Sequence, residues 1–167
     1  MEKQVFQFEN FLADVPPDCK EFAAKIHESL LGDGYKCKIE SKASGFFVSY
    51  SHPQTRRSLL NFLFRKQGLL LRLYADHAGQ YADFLNGLPE EMEREIKKAP
   101  VCKRLLNPAD CNPKCVAGYD FFVGENHYQK CRYGCFQFAV NARSIPVLTE
   151  FVELERNCRV GVPSPTG

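Results

Sequence analysis

The sequence predicts an α+β fold, an antiparallel β-meander sheet packed by helices, with a cysteine-rich loop and hairpin extension in the second half. Three observations predict it. Four consecutive segments between residues 36 and 74 alternate their side chains with a period of two, the pattern of strands whose two faces meet different surroundings. The flanking segments repeat apolar residues at helical spacing instead. Residues 107–135 then change in kind and become rich in Cys, Asn, Pro, Gly and Tyr.

Residues 1–16 read as an arm whose Phe6, Phe8, Phe11 and Leu12 are spaced to pack on the body. Pro16-Pro17-Asp18 opens a helix, since proline fits a first turn. Cys19, Phe22, Ile26 and Leu30 form its buried stripe, which makes Cys19 a small core residue, and Gly32 and Gly34 end it. Strands follow at 36–41, 45–51, 58–65 and 68–74, the last two joined by Lys66-Gln67-Gly68, a short glycine-containing hairpin loop. Their patterns suit a sheet with one face fully buried and the other partly so. Helical sequence resumes at 80–86 and again from Pro89, where Met92 and Ile96 share a face. Pro100 interrupts it, and 101–106 is a turn or short helix. A loop, a strand near 119–123, a turn at Gly124-Glu125-Asn126 and another strand come next, with 133–140 continuing as strand. Ser144 caps a last helix that carries Leu148, Phe151, Val152 and Glu155. Residues 159–167 read as a disordered tail. The expected organisation is one domain, 1–158, with 107–135 as its cysteine-rich extension.

Bulk properties narrow the class. A chain of 167 residues closes one core without staples, so its eight cysteines are not needed merely to make it fold. The net charge of +2 comes from scattered cations, which argues against nucleic acid as the partner. Arg56-Arg57 and Arg65-Lys66 sit where turns belong and read as solvated charges. The first twenty residues lack the apolar run of roughly 7–15 residues that a secretory leader needs. No stretch approaches the ~20 apolar residues of a membrane helix. The expected location is cytoplasmic, without a membrane partner, and the cysteines there begin as thiols. Nothing in the sequence sets an oligomeric state.

Clustered thiols in a reducing compartment point to metal or redox chemistry. Cys111-Asn-Pro-Lys-Cys115 and Cys131-Arg-Tyr-Gly-Cys135 are two C-x3-C pairs separated by fifteen residues. Tetrahedral zinc takes four soft ligands as two close pairs, so Cys111, Cys115, Cys131 and Cys135 are the candidate structural zinc site. Asn112-Pro113 is a natural turn, and Cys111 and Cys115 converge readily. Cys131 and Cys135 lie roughly 13 Å apart on a straight strand, so both can serve only if the chain bends at Gly134. Otherwise Cys102 or His127 supplies a ligand. Disulfide pairing and inert thiols are the competing readings, while Cys37 and Cys158 read as space-filling or loose thiols.

The order helix, KIESKASGFFVSYS, SLLNFLFRKQGLLLRLYAD and helix, followed by CNPKC, GYDF and YQKCRYGCFQF, resembles small bacterial helix–β-meander–helix proteins with a C-terminal cysteine motif. The resemblance spans about residues 18–155. It implies the fold, carries no established activity and transfers no catalytic residue.

Three functions compete. In the first, the chain is a binding module for a small molecule or partner, with Phe47, Asn61, Arg72 and Tyr74 offering aromatic walls and polar anchors on the less apolar sheet face. Lys38, Glu40 and Ser49 share that face; the chain's own arm or water covers it in the bland reading. In the second, it is a thiol-dependent enzyme or redox protein using Cys131, whose neighbours Lys130 and Arg132 favour thiolate. No C-x-x-C, nucleophile elbow or phosphate loop supports that. In the third, a zinc-stabilised surface with Arg104, Lys114, Lys130, Arg132, Tyr128 and Tyr133 binds nucleic acid. His127 reads as a surface histidine in a turn. His77, at a strand end, is the better site candidate, because functional loops gather there.

Overall fold

The computed structural model describes residues 5–160. The chain, read from sequence as one domain, divides into two compact units, 1–73 with 138–146 and 74–137 with 147–167. Both mix helix and strand, and the main sheet is antiparallel, as an α+β fold requires.

In the first unit, the segment expected as an arm contains a helix, α1 (Phe8–Asp14). A 3-10 turn at Pro17–Cys19 leads into α2 (Lys20–Gly32). The meander is β1 (Lys36–Lys42), β2 (Gly45–Ser51), β3 (Ser58–Arg65) and β4 (Gly68–Leu73). A later strand, β7 (Gln137–Ala139), adds beside β4, giving the order β1-β2-β3-β4-β7. Val48, Tyr50, Leu60, Phe62, Leu71 and Leu73 alternate inward and are buried. Phe11 packs on Phe62 at 5.5 Å and on Phe64 at 5.9 Å, and Phe22 meets Phe62 edge-on. Each such side chain removed from water contributes about 1.5–3 kcal/mol.

The intervening residues Leu59, Asn61, Leu63 and Leu70 are buried as well. β3 and β4 are therefore covered on both faces, which explains their nearly unbroken apolar sequence. Glycine at 45 is obligatory: its φ is +131°, and a Cβ there would lie 2.8 Å from Cδ2 of Phe64. Ser144 precedes the last helix as expected, yet its hydroxyl turns backward. It donates to Ala139 O at 2.7 Å and accepts from the Asn141 N–H at 3.0 Å.

The second unit opens with a 3-10 turn at Ala78–Tyr81, then α3 (Ala82–Asn86), α4 (Glu90–Lys98) and α5 (Lys103–Leu106). α4 starts at Pro89 with Glu90, Glu91 and Glu93 in its first turn and Lys97 and Lys98 in its last, which suits the helix dipole. β5 (Tyr119–Val123) and β6 (Asn126–Lys130) form a hairpin about Gly124. The body of α6 (Ile145–Val160) completes it. Phe136 anchors this core against Tyr119, Phe121 and Phe151 at 5.0–5.5 Å.

Two expectations give way here. Residues 133–136 are not strand, because the Cys131 carbonyl accepts the N–H groups of both Gly134 (3.2 Å) and Cys135 (3.0 Å), coiling the chain into a turn. Nor does a tail begin at 159: Arg159 sits in the last turns of α6 with its side chain largely buried. Residues 161–167 of that expected tail lie outside the described residues. No helix among the described residues is long and apolar enough to cross a membrane.

Candidate functional site

The cysteine section is built from turns. Cys115 N–H donates to Asn112 O at 3.0 Å, closing the expected bend, while Arg104 Nη1 holds that same carbonyl at 2.7 Å. Cys111 is exposed with φ of 64°, Cys115 and Cys131 are half-buried, and Cys135 has no exposed surface. The 131–135 turn supplies a bend at Gly134. Burial drives the Cys135 thiol far above the ordinary thiol range, so it stays protonated. Cys102 is buried and its Sγ accepts the Gly118 N–H at 3.2 Å. His127 lies in β6 rather than in a turn. Its Nε2 is bound to Asp120 at 2.5 Å and its ring stacks on Phe122. The eight cysteines are free thiols, and among the described residues no three His, Cys, Asp or Glu side chains are grouped so as to hold a metal ion.

Of the four residues expected to bind a ligand, Phe47, Asn61 and Arg72 share one sheet face. The register aligns Lys38, Ser49, Asn61 and Arg72 as a cross-strand row, with Phe47 opposite Glu40 one pleat away. Asn61 is only 2% exposed, so the centre of that row is closed to solvent. Tyr74 lies past the end of β4 and belongs to the second unit.

The second unit instead concentrates its polar chemistry where β4 has ended. Tyr74-Ala75-Asp76-His77 leads into the 3-10 turn, with His77 as its N-cap. Facing it from α6 are Glu155 and Arg159, one helical turn apart and hence on one side of the helix. Glu155 has no exposed surface, and each of its oxygens has two partners. Oε1 accepts the His77 backbone N–H at 3.0 Å and the Tyr81 hydroxyl at 2.8 Å. Oε2 meets His77 Nδ1 at 2.7 Å and Arg159 Nε at 2.8 Å. Arg159 Nη2 reaches Tyr74 O at 2.7 Å and Asp76 Oδ2 at 3.5 Å.

Asp76 extends the network. Its Oδ1 takes Arg132 Nη2 at 3.2 Å, and Arg132 Nη1 donates to Ala117 O at 3.3 Å. The Arg132 guanidinium stands 5.2 Å from the Tyr74 ring centre and 5.4 Å from that of Tyr119, cation–π distances for both. Two guanidinium cations thus balance two carboxylates. A lone buried carboxylate costs several kcal/mol, and this pairing offsets that cost. Burial, together with the adjacent Glu155, raises the Tyr81 hydroxyl out of reach of ionisation, so it can only donate to that carboxylate. The Tyr119 hydroxyl is buried and has no hydrogen-bond partner among the described residues.

The histidine is where this scaffold acquires chemistry. An ionised carboxylate only accepts hydrogen bonds, so the 2.7 Å contact puts a hydrogen on Nδ1 of His77. Whenever the ring is neutral, the lone pair then lies on Nε2, held in a fixed direction. The His77 side chain is 24% exposed, in contrast with the sealed carboxylate behind it. Such a nitrogen can accept a hydrogen bond, take a proton or ligate a cation.

Part of this site was visible beforehand. His77 stood out by position, whereas Glu155 passed as helix body and Arg159 as tail. The available signal was an acid on an otherwise apolar stripe, Leu148, Phe151, Val152 and Glu155, which requires an internal partner. Comparison with protein-family profiles, with curated proteins and with solved structures finds no match.

Proposed function

We propose that the protein is a small-molecule-binding module and that its ligand is anchored at Nε2 of His77. One observation carries the reading. A fully buried carboxylate spends one oxygen on Nδ1 of a partly exposed imidazole, so the ring is oriented before any ligand arrives. An anchor whose direction is already fixed loses little entropy on binding. Tyr74 and Tyr133 pack edge-on at 6.2 Å near the same network, and Tyr133 is half-exposed, which supplies aromatic surface around a few polar groups. The complementary ligand is a neutral molecule with a hydroxyl or amide hydrogen for Nε2. A general base would use the same lone pair. Among the described residues, however, no hydrogen bond joins His77 to a serine, threonine or cysteine, so no nucleophile stands ready for activation.

The test is a fragment screen by ligand-observed NMR on the wild-type chain and on His77→Asn. Asparagine keeps an N–H donor for Glu155 and places nothing at Nε2. Fragments with hydroxyl or amide donors are expected to bind the wild type and to weaken by roughly tenfold or more in the variant, about 1.4 kcal/mol, with folding unchanged. Equal binding to both proteins, or none to the wild type, contradicts the proposal.

A further inference from the structure

The middle of the second unit is charged out of proportion to the chain. Residues 97–118 hold five cations and one acid, Asp110, although the net charge of the whole sequence is only +2. Lys97 pairs with Glu93 at 2.8 Å. Lys98, Lys103, Arg104 and Lys114 have no carboxylate partner among the described residues; Arg104 instead donates to the Asn112 carbonyl. Interspersed with these cations are Val101, Leu106 and Val116, aliphatic side chains each more than half exposed.

Hydrogen bonds tie this stretch to β6 and to itself. Lys130 Nζ reaches the carbonyls of Lys97 and Ala99 at 2.8 and 2.9 Å, and the Gly118 N–H donates to Cys102 Sγ at 3.2 Å. Val101 forms an antiparallel bridge with Lys130. The Cys102 N–H donates to Gln129 O at 2.9 Å and the Cys131 N–H to Pro100 O at 2.8 Å. Both bonds belong to residues beside the bridge, so Val101 and Lys130 are its non-hydrogen-bonded pair. The N–H and carbonyl of Val101 therefore point away from β6, and neither has a hydrogen-bond partner among the described residues.

We propose that this edge docks an extended acidic segment of a partner protein, laid antiparallel against the backbone at Val101. A residue opposite Val101 exchanges both hydrogen bonds with it, the way a strand is added to an open edge. An aliphatic side chain there lies beside that of Val101, and flanking carboxylates face Lys98, Lys103, Arg104 and Lys114. Each exposed ion pair adds little by itself; together the four cations steer the segment and set its register. The backbone pair selects a polypeptide, which brings an N–H as well as a C=O. Phosphate oxygens, of nucleic acid or lipid, only accept and leave the Val101 carbonyl without a donor. Lysines along an edge also discourage a second copy of the same basic edge from pairing with it.

Fluorescence anisotropy of the full chain with a labelled peptide alternating glutamate and valine tests this. Lys98→Glu combined with Lys103→Glu reverses two exposed charges and leaves the core untouched. Binding is expected to weaken by roughly tenfold or more in that variant, because like charges are then juxtaposed. N-methylation of the peptide at its central valine removes one backbone bond and is expected to weaken binding to the wild type by roughly fivefold. No binding to the wild type, equal binding by the variant, or indifference to N-methylation overturns the proposal. So does tighter binding of a single-stranded oligonucleotide or of phosphatidylserine vesicles than of the peptide.

Discussion

A carboxylate with no exposed surface must find its hydrogen bonds inside the protein, and Glu155 finds two for each oxygen. Arg159 supplies the charge, Tyr81 a neutral donor, and His77 contributes both backbone and ring. The pairing makes Glu155 a clasp between α6 and the loop after β4, and it also fixes the His77 tautomer. These roles separate by mutation. Glu155→Ala takes the acceptor from Arg159 Nε and three further donors, and is expected to cost about 3–5 kcal/mol in urea unfolding, the usual loss when one member of a buried pair is deleted. His77→Asn, which preserves a donor to Glu155, should stay within about 1 kcal/mol of wild type. Similar large losses in both variants would make His77 structural alone. Little of this pairing could be read from sequence, since His77 and Glu155 lie 78 residues apart and belong to no local motif.

Among the elements, the β5–β6 hairpin depends on the approach of a neighbouring backbone. A Cβ on Gly118 would fall 2.1 Å from the Lys130 carbonyl oxygen and 2.9 Å from Cys102 Cβ. Neither the β6 backbone nor the buried Cys102 can withdraw freely. Gly118→Ala is therefore expected to destabilise the protein by about 3 kcal/mol or more, above the 1–3 kcal/mol of ordinary overpacking, because backbone must move. A melting temperature equal to wild type would show that the hairpin is held less tightly. The hairpin itself was legible, with alternating residues on either side of Gly124, as were the meander strands, whose period of two reflects their local pleat. The run Tyr133-Gly-Cys-Phe-Gln-Phe carries the same alternation, yet its first half coils as a turn on the Cys131 carbonyl. Periodicity records which residues pack inward; a turn with the same inward residues leaves the same trace. α6 was read short because its final turns bury a guanidinium rather than an apolar side chain.

On the scale of the whole molecule, the two units each hold an imidazole whose Nδ1 is committed to a buried partner, Tyr50 for His27 and Glu155 for His77. The partners set opposite chemistry. A phenol can give its hydrogen to nitrogen and leave His27 as an acceptor, whereas a carboxylate can only take one and leaves His77 as a donor at Nδ1. The eight cysteines, the most conspicuous feature of the sequence, are distributed between packing and surface. Cys19 and Cys135 fill the interior, Cys102 also accepts a backbone hydrogen bond, and Cys111 faces solvent. Composition advertised the thiols because cysteine is rare, while the buried charge network uses common residues brought together only by folding. The central claim, that His77 presents a free lone pair to a ligand, is tested most directly by long-range ¹H–¹⁵N correlation of its ring, with the resonances assigned through His77→Asn. At any pH where the ring is neutral, the account predicts a protonated Nδ1 and an unprotonated Nε2 in the free protein, with the Nε2 resonance moving when a fragment binds. A ring protonated at Nε2 instead, or an Nε2 resonance indifferent to every bound fragment, would contradict it.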